Sequence, residues 1–314
     1  MQDFLVDSYG RKVTSLRISL TNRCNLKCIY CHNEGEQHSG NEITVDEVAQ
    51  IVRVAAKHGV DKVKLTGGEP LMRKDLEDIL KALPPLRDVS LTTNATMLAP
   101  RAKSLKAAGL DRVNISMGSM SSDRYDMITC TQSGQFNHVQ EGIKAAIEAE
   151  LTPVKINMVY LKGINDAEID QMIDFVRNKP LILQVIELMD FHGAFKYHGD
   201  VSALEARIKV QADKAVQREM HRRTKYFLNG AEVEIVRPID NSEFCMHCNR
   251  LRVTSDCKLK PCLLRNDNLV DVRGLNDEQL EEKMRYAVSI REPFFKPVDL
   301  SSEARNNATQ TSSE

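Results

Sequence analysis

Tryptophan is absent from this 314-residue chain, and aromatic residues make up only 5% of it. So few rings argue against a base-stacking platform for single-stranded nucleic acid. The charge has no dominant sign either. With 43 Lys and Arg against 44 Asp and Glu, there is no general attraction to nucleic acid or to a membrane surface, and any basic patch must be local. No apolar run approaches the roughly 18–20 residues needed to span a bilayer. Residues 1–7 lack the basic-then-apolar order of a secretory signal. What remains is ordinary soluble composition, long enough for one large or two modest domains, with a cytoplasmic location expected.

Cysteine is not scarce. Seven of the eight lie in two groups, at residues 24–31 and 245–262, and only Cys130 stands alone. In a reducing compartment, grouped cysteines read as metal ligands rather than disulfides. Cys24, Cys28 and Cys31 form C-x3-C-x2-C directly after a strand-like run. Three thiolates at this spacing fit three corners of a four-iron cluster and leave one iron open to a reacting ligand. The competing assignment is zinc with His32 as fourth ligand. Cys245, Cys248 and Cys262 form C-x2-C-x13-C. This group fits a zinc ribbon completed by His247 or Cys257, or a second iron–sulfur cluster. Cys130 is expected to be a buried thiol before a helix at 136–149.

Between residues 14 and 188, six strand patterns alternate with helical ones. The strands are expected near 14–20, 61–66, 89–94, 112–116, 153–160 and 181–188. Thr44 and Glu47 form a capping box for the first helix, and Pro84-Pro85 stops the second. Such alternation implies parallel strands with helical crossovers. Six units are too few for a closed eight-stranded barrel of about 250 residues. The predicted fold is therefore α/β, a partial (β/α)6 TIM-type barrel over residues 1–199. The cysteine loop, Gly67-Gly68-Glu69-Pro70, Thr92, Ser116 and Met189 all fall at or just past strand ends, where such sheets bind ligands. After a loop at 191–199, residues 200–297 read as an α+β extension that carries the second cysteine group and covers the open side of the barrel. That extension has a charged helix at 201–220, a hairpin about Asn229-Gly230 and a helix near 276–290. Residues 298–314 are polar and expected to be disordered.

With Tyr30 directly before its last cysteine, the first motif resembles the signature of the radical S-adenosylmethionine (SAM) enzymes. Gly67-Gly68-Glu69-Pro70 resembles the motif that holds the methionine end of SAM in that family. The two glycines permit close backbone approach, and Glu69 would pair with an amino group. By this resemblance Tyr30, Gly68, Glu69, Ser116 and Met189 would bind SAM.

From about residue 8 to 296 the chain is similar to the GTP 3′,8-cyclase family of molybdenum-cofactor biosynthesis, with archaeal members most alike. The specific segment is Phe244-Cys245-x2-Cys248-Asn249-Arg250-Leu251-Arg252 with Leu259-x-Pro261-Cys262. The resemblance implies two [4Fe-4S] clusters, on Cys24, Cys28 and Cys31 and on Cys245, Cys248 and Cys262. It implies GTP as substrate, bound by Arg17, Lys64, Thr92, Lys155, Arg250, Leu251 and Arg252. It also implies a separate electron donor and transfer of product to a cyclic pyranopterin monophosphate synthase, and it is compatible with a homodimer. Independently, a triphosphate demands several fixed cations in a partly closed site. Lys64 and Lys155 lie inside otherwise apolar strands, where a charge needs a partner.

Three departures from the family pattern stand out: a tail ending Ser-Ser-Glu instead of Gly-Gly, Gly118 where Asp is usual, and Cys257 where Gly is usual. The rival readings are a radical SAM enzyme that modifies a peptide and a non-catalytic protein holding two zincs.

Overall fold

The computed structural model describes residues 3–36, 40–131, 134–189, 194–238 and 242–292. The tail at 298–314, expected to be disordered, lies outside these residues, as does part of the loop expected at 191–199.

Six strands and their crossovers come first. They are β1 (Ser15–Ser19), α1 (Val45–Lys57), β2 (Lys62–Thr66), α2 (Leu76–Ala82), β3 (Asp88–Thr93), α3 (Ala102–Ala107), β4 (Arg112–Ser116), α4 (Ser122–Thr129), α5 (Gln135–Glu148), β5 (Val154–Tyr160), α6 (Ile169–Val176) and β6 (Leu181–Glu187). Neighbouring strands from β1 to β6 pair in parallel and in sequence order. Thr44 and Glu47 cap α1 reciprocally, as their spacing requires. Helix α4 was not expected. Its apolar residues are too few to give a helical stripe, and the cap at Ser121 starts it.

The extension contains α7 (Ser202–Gln211), β7 (Lys214–Gln217), β8 (Thr224–Leu228), β9 (Ala231–Val236), α8 (Ser242–Met246), β10 (Arg250–Val253), β11 (Lys258–Lys260), β12 (Val270–Asp271) and α9 (Asp277–Ser289). The single helix expected at 201–220 is instead α7 followed by a strand. After Gln211 the chain extends, and β7 pairs antiparallel with β8. The extension also lengthens the sheet at both edges, because β9 pairs in parallel with β6 and β10 in parallel with β1. The result is one twelve-stranded sheet, ordered β12-β11-β10-β1-β2-β3-β4-β5-β6-β9-β8-β7. Helix α9 returns to α1, where Gln50 donates to the Leu275 carbonyl at 3.0 Å.

The strand sequences alternate, and successive side chains point to opposite faces. Leu16, Ile18, Val63, Leu65, Leu91, Val113, Ile115, Ile156, Leu183 and Val185 are buried with helix residues such as Val48, Ile51, Ile79, Leu105, Val139 and Met172. Each such side chain contributes about 1.5–3 kcal/mol when fully buried. This apolar outer face secures the sheet, so the inner face is free to be polar.

Candidate active site

The inner face of the sheet surrounds a cavity of about 840 Å³, and both cysteine triads open on it. Strand register explains its polar wall. Arg17 on β1 lies beside Arg252 on β10 and Lys64 on β2. Next along the sheet, Thr92 pairs with Asn114, Asn114 with Lys155, and Asn157 with Gln184. All of these line the cavity, as do Arg112, Arg218, Arg223 and Arg250. In total, twelve Lys and Arg line it against four Asp and Glu. A neutral chain thus gathers strong positive potential into one cleft.

The first triad sits on the loop after β1, braced by the loop after β2. Gly68 N donates to the Thr21 carbonyl at 2.7 Å, and Glu69 N to the Arg23 carbonyl at 2.8 Å. A Cβ at Gly67 would lie 2.3 Å from the Thr21 carbonyl oxygen, and one at Gly68 2.3 Å from that of Arg23. The paired glycines therefore let this loop lie against the cysteine loop. Asn94 braces the same loop by donating to the Asn25 side chain at 2.8 Å. Burial, then the neighbouring cysteines, pushes the Cys28 thiol up to about 12. Burial also raises the Cys24 thiol.

Tyr30, Gly68, Ser116 and Met189 all line the cavity. Tyr30 also packs against the small apolar group of Ile128, Leu161 and Leu188. Glu69 does not line the cavity. Its buried carboxylate accepts from Leu71 N at 2.9 Å, Thr93 Oγ1 at 2.7 Å and Asn94 N at 2.7 Å. Burial raises its pKa to about 6 despite these bonds. The structure thus makes Glu69 the tie of its own loop, where the sequence suggested a partner for a ligand's amino group.

The second triad comes from α8 (Cys245), the loop after it (Cys248) and the segment after β11 (Cys262). Arg11 Nη1 donates to the Cys245 carbonyl at 2.8 Å, and Arg291 Nη2 to that of Cys248 at 2.7 Å. Asp7 joins the two arginines at 2.7 and 3.4 Å. Burial would raise the Cys248 thiol, but Arg291 and Arg250 outweigh it and bring the thiol below its ordinary value.

Cys257 is elsewhere. It is buried, and the charges that act on its thiol are those of Glu47, Arg273, Asp271 and Asp256. Its φ of 66° accounts for the usual glycine at that position. Cys130 is exposed, against the expectation of a buried thiol. It ends α4 in a left-handed conformation with φ 51°, so it caps the helix and does not enter the core.

Zinc, with bonds of about 2.3 Å to sulfur, would draw its thiolates to about 3.8 Å from one another. Among the described residues, the one group of three possible ligand atoms mutually within 4.8 Å is Asp3, His58 and Glu281. Neither cysteine triad is that tight. Arg285 already bridges the two carboxylates of the Asp3 group. A four-iron cluster takes each thiolate on a different iron, so it fits both the donor set and the wider spacing.

The cations expected for GTP separate into two kinds. Lys64 and Arg250 have no carboxylate within ion-pair distance among the described residues. Burial, followed by Arg112 and Arg17, pushes the Lys64 pKa well below its ordinary value. Burial, then Arg252 and Arg17, brings Arg250 down to about 9. Such crowded cations are relieved by a bound anion. The others are already paired. Glu34 takes Arg17 Nη2 at 2.5 Å and Arg252 Nη1 at 2.9 Å, and Glu234 takes Lys155 Nζ at 2.7 Å.

Thr92 Oγ1 and Asn157 Oδ1 are buried without a hydrogen-bond partner, and both residues line the cavity. They are polar groups that a ligand would satisfy. Leu251 faces the other way. Alternation places it opposite Arg250 and Arg252, fully buried in the core, so it offers no side chain to a ligand in the cavity.

The sequence reading missed Glu34, Arg112, Asn157, Gln184, Arg218, Arg223 and Glu234. It also missed His221, which stacks on Phe244 at 3.7 Å between ring centroids. Burial, with Arg250 and Arg223 nearby, keeps the His221 imidazole neutral. Strand alternation could have found Arg112, Asn157 and Gln184.

Residues 18–176 match the Radical SAM superfamily, and residues 181–296 match the family Molybdenum Cofactor Synthesis C. The chain is 70% identical over 292 residues to the probable GTP 3′,8-cyclase of Methanocella arvoryzae, covering 93% of this chain and 95% of that one. It is 54% identical over 306 residues to the probable GTP 3′,8-cyclase of Methanosarcina mazei, covering 95% and 92%. Among solved structures, Streptococcus suis SuiB bound to S-adenosylmethionine aligns with a TM-score of 0.59 at 19% identity, over 80% of this chain and 60% of that one. At that identity the likeness shows the fold alone.

Proposed function

Because the chain belongs to the radical SAM superfamily and, within it, to the GTP 3′,8-cyclase family, we propose that its cavity converts GTP to (8S)-3′,8-cyclo-7,8-dihydroguanosine 5′-triphosphate. This is the first step of molybdopterin biosynthesis and a lyase-type cyclisation. The observation that carries this reading is the single cavity shared by two cysteine triads and a wall of cations. When bound at Cys24, Cys28 and Cys31, a [4Fe-4S] cluster with SAM would supply the 5′-deoxyadenosyl radical that takes the 3′ hydrogen of GTP; closure of C3′ on guanine C8 then requires one electron, from the separate donor, and one proton to reach the dihydro product.

The chain's own residues hold the reactants and exclude competing donors. Gly68, Ser116, Met189 and Tyr30 form the SAM wall. Lys64 and Arg250, with the paired Arg17, Arg252 and Lys155, receive the triphosphate. A triphosphate relieves their mutual repulsion and gains charge-assisted hydrogen bonds. Thr92 adds a neutral hydrogen bond. Cys245, Cys248 and Cys262 would hold the second [4Fe-4S] cluster, which would supply a position for the guanine. Orienting both ends of GTP brings C3′ and C8 into one geometry.

A separate electron donor serves the reaction in the cytoplasm, and the product passes to a cyclic pyranopterin monophosphate synthase. Among the described residues no helix is long and apolar enough to cross a membrane.

The test is anaerobic reconstitution with iron and sulfide, then incubation with SAM, reductant and GTP, read by mass spectrometry. The expected result is 5′-deoxyadenosine together with an isomer of GTP of unchanged mass. Deoxyadenosine formed while GTP stays intact would reject the substrate and keep the first site.

A further inference from the structure

Glu234, on β9, is fully buried and does not line the cavity, yet each of its four partners does. Oε1 accepts from Lys155 Nζ at 2.7 Å and Arg218 Nη1 at 2.8 Å. Oε2 accepts from Gln184 Nε2 at 2.9 Å and lies 3.3 Å from Arg223 Nη1. Three hydrogen-bond donors and the Arg223 guanidinium surround the carboxylate, and it does not reach the cavity, so Glu234 offers a ligand nothing directly. Its partners come from separate places: Lys155 from β5, Gln184 from β6, and Arg218 and Arg223 from the turn between β7 and β8. Three cations converging there would repel one another without a central anion. With one carboxylate among three cations, the group remains net positive.

We propose that Glu234 is the positioning residue of the phosphate wall: from behind it, the carboxylate fixes Lys155, Arg218 and Arg223 so that they jointly receive the triphosphate. This rests on the GTP reading above and adds to it a residue that touches no substrate.

Two further observations agree. Nε of Arg223 is buried with no hydrogen-bond partner, which leaves a donor for an anion. Burial brings the Lys155 pKa down to about 7, and Glu234 is the main group opposing that fall.

The proposal makes a counter-intuitive prediction. On charge alone, removing a carboxylate beside an anion site strengthens anion binding. If Glu234 positions the cations, removing it weakens binding.

The test measures calorimetric binding of GTP, guanosine, inorganic tripolyphosphate and SAM to the reconstituted holoenzyme, with no reductant so that nothing turns over. E234Q is expected to weaken GTP and tripolyphosphate by about tenfold to a hundredfold, the range for a lost charged hydrogen bond. Guanosine and SAM should bind as in the wild type. Tripolyphosphate binding that is equal or tighter in E234Q overturns the proposal, and so does a parallel loss of guanosine and SAM, which marks a merely structural role.

If E234Q does not fold, E234D carries the test, because it keeps the charge but withdraws it by one methylene. A folded, iron-loaded E234D with wild-type tripolyphosphate affinity overturns the proposal. A loss confined to the phosphate ligands supports it. If the wild type binds CTP as tightly as GTP, the guanine reading fails, while the tripolyphosphate comparison still decides the role of Glu234.

Discussion

The two cysteine triads differ in what surrounds them. At the first, the main groups acting on Cys24 and Cys28 are the other thiols, Glu69, Tyr30 and the Asn94 amide. The second is ringed by arginines. Arg11 acts on Cys245, and Arg291, Arg250 and Arg252 act on Cys248. Similar ligand sets therefore sit in different fields. SAM brings its own positive sulfonium, which is best met without nearby guanidinium groups. An anionic nucleotide is best met among them. Under the proposed function, two motifs that look interchangeable as metal sites would be divided in labour by their neighbours.

The sharpest way to break this comparison is to delete each triad separately. With Cys245, Cys248 and Cys262 all changed to Ala, iron should fall from about eight to about four per chain. SAM should still be cleaved to 5′-deoxyadenosine, and GTP conversion should be abolished. With Cys24, Cys28 and Cys31 changed instead, about four irons and GTP binding should remain, and SAM cleavage should vanish. Iron and sulfide assays with product analysis read both. If the second deletion abolishes SAM cleavage as well, the two sites do not divide the work as described.

The next effect concerns what joins the triads. Glu34 follows the first triad by three residues and pairs with Arg17 on β1 and Arg252 on β10, and Thr66 on β2 donates to it at 2.9 Å. Beside it, Gly35 packs so closely on the loop of Cys262 that a Cβ would lie 2.4 Å from the Leu263 carbonyl oxygen. Lys260 Nζ donates to the Gly35 carbonyl at 2.6 Å. Removing one partner from a buried charge group costs about 3–5 kcal/mol, so E34Q should lose about that much stability in anaerobic denaturation. Burial alone would raise the Glu34 carboxyl, but Arg17 and Arg252 hold it well below the ordinary carboxylate range. A depressed pKa gives stability that is present above the unfolded value and lost only as pH falls into acid. The E34Q deficit should therefore be equal at pH 6 and pH 8. A loss under about 1 kcal/mol would mean that the loops are joined by packing alone.

Much of this was legible beforehand, and for a local reason. The parallel strands, the capping box of α1 and the hairpin at Asn229-Gly230 are written in residues next to one another. The cavity wall was half legible. Lys64 and Lys155 stand out as charges in apolar strands, and Arg17 enters through the family resemblance, but the same alternation extends to Arg112, Asn157 and Gln184. Applied to β10 it also places Leu251 in the core. Glu34 and Glu234 were not legible, because their value lies in partners brought together only by the sheet. Glu234 meets Lys155 from 79 residues away. Glu69 shows the same limit, because a motif shows that a carboxylate is present and not which donors fill it.

The smallest effect tests the border of the second triad. Cys257 precedes Cys262 by five residues and could by spacing alone complete a four-thiolate site. Its surroundings oppose that. Its thiol is buried and does not line the cavity on which Cys245, Cys248 and Cys262 open. The Cys257 carbonyl accepts from Val272 N at 3.2 Å, fixing the turn between β11 and its neighbours. Cys257→Ala keeps the strained φ and loses one buried sulfur, so it should cost about 1 kcal/mol. Iron should stay at about eight per chain and GTP affinity should be unchanged. Loss of one cluster's iron in this variant would instead give the second site four protein thiolates. No iron would then be open to the guanine, and the contrast between the two triads would have to be redrawn as a catalytic site facing a closed one.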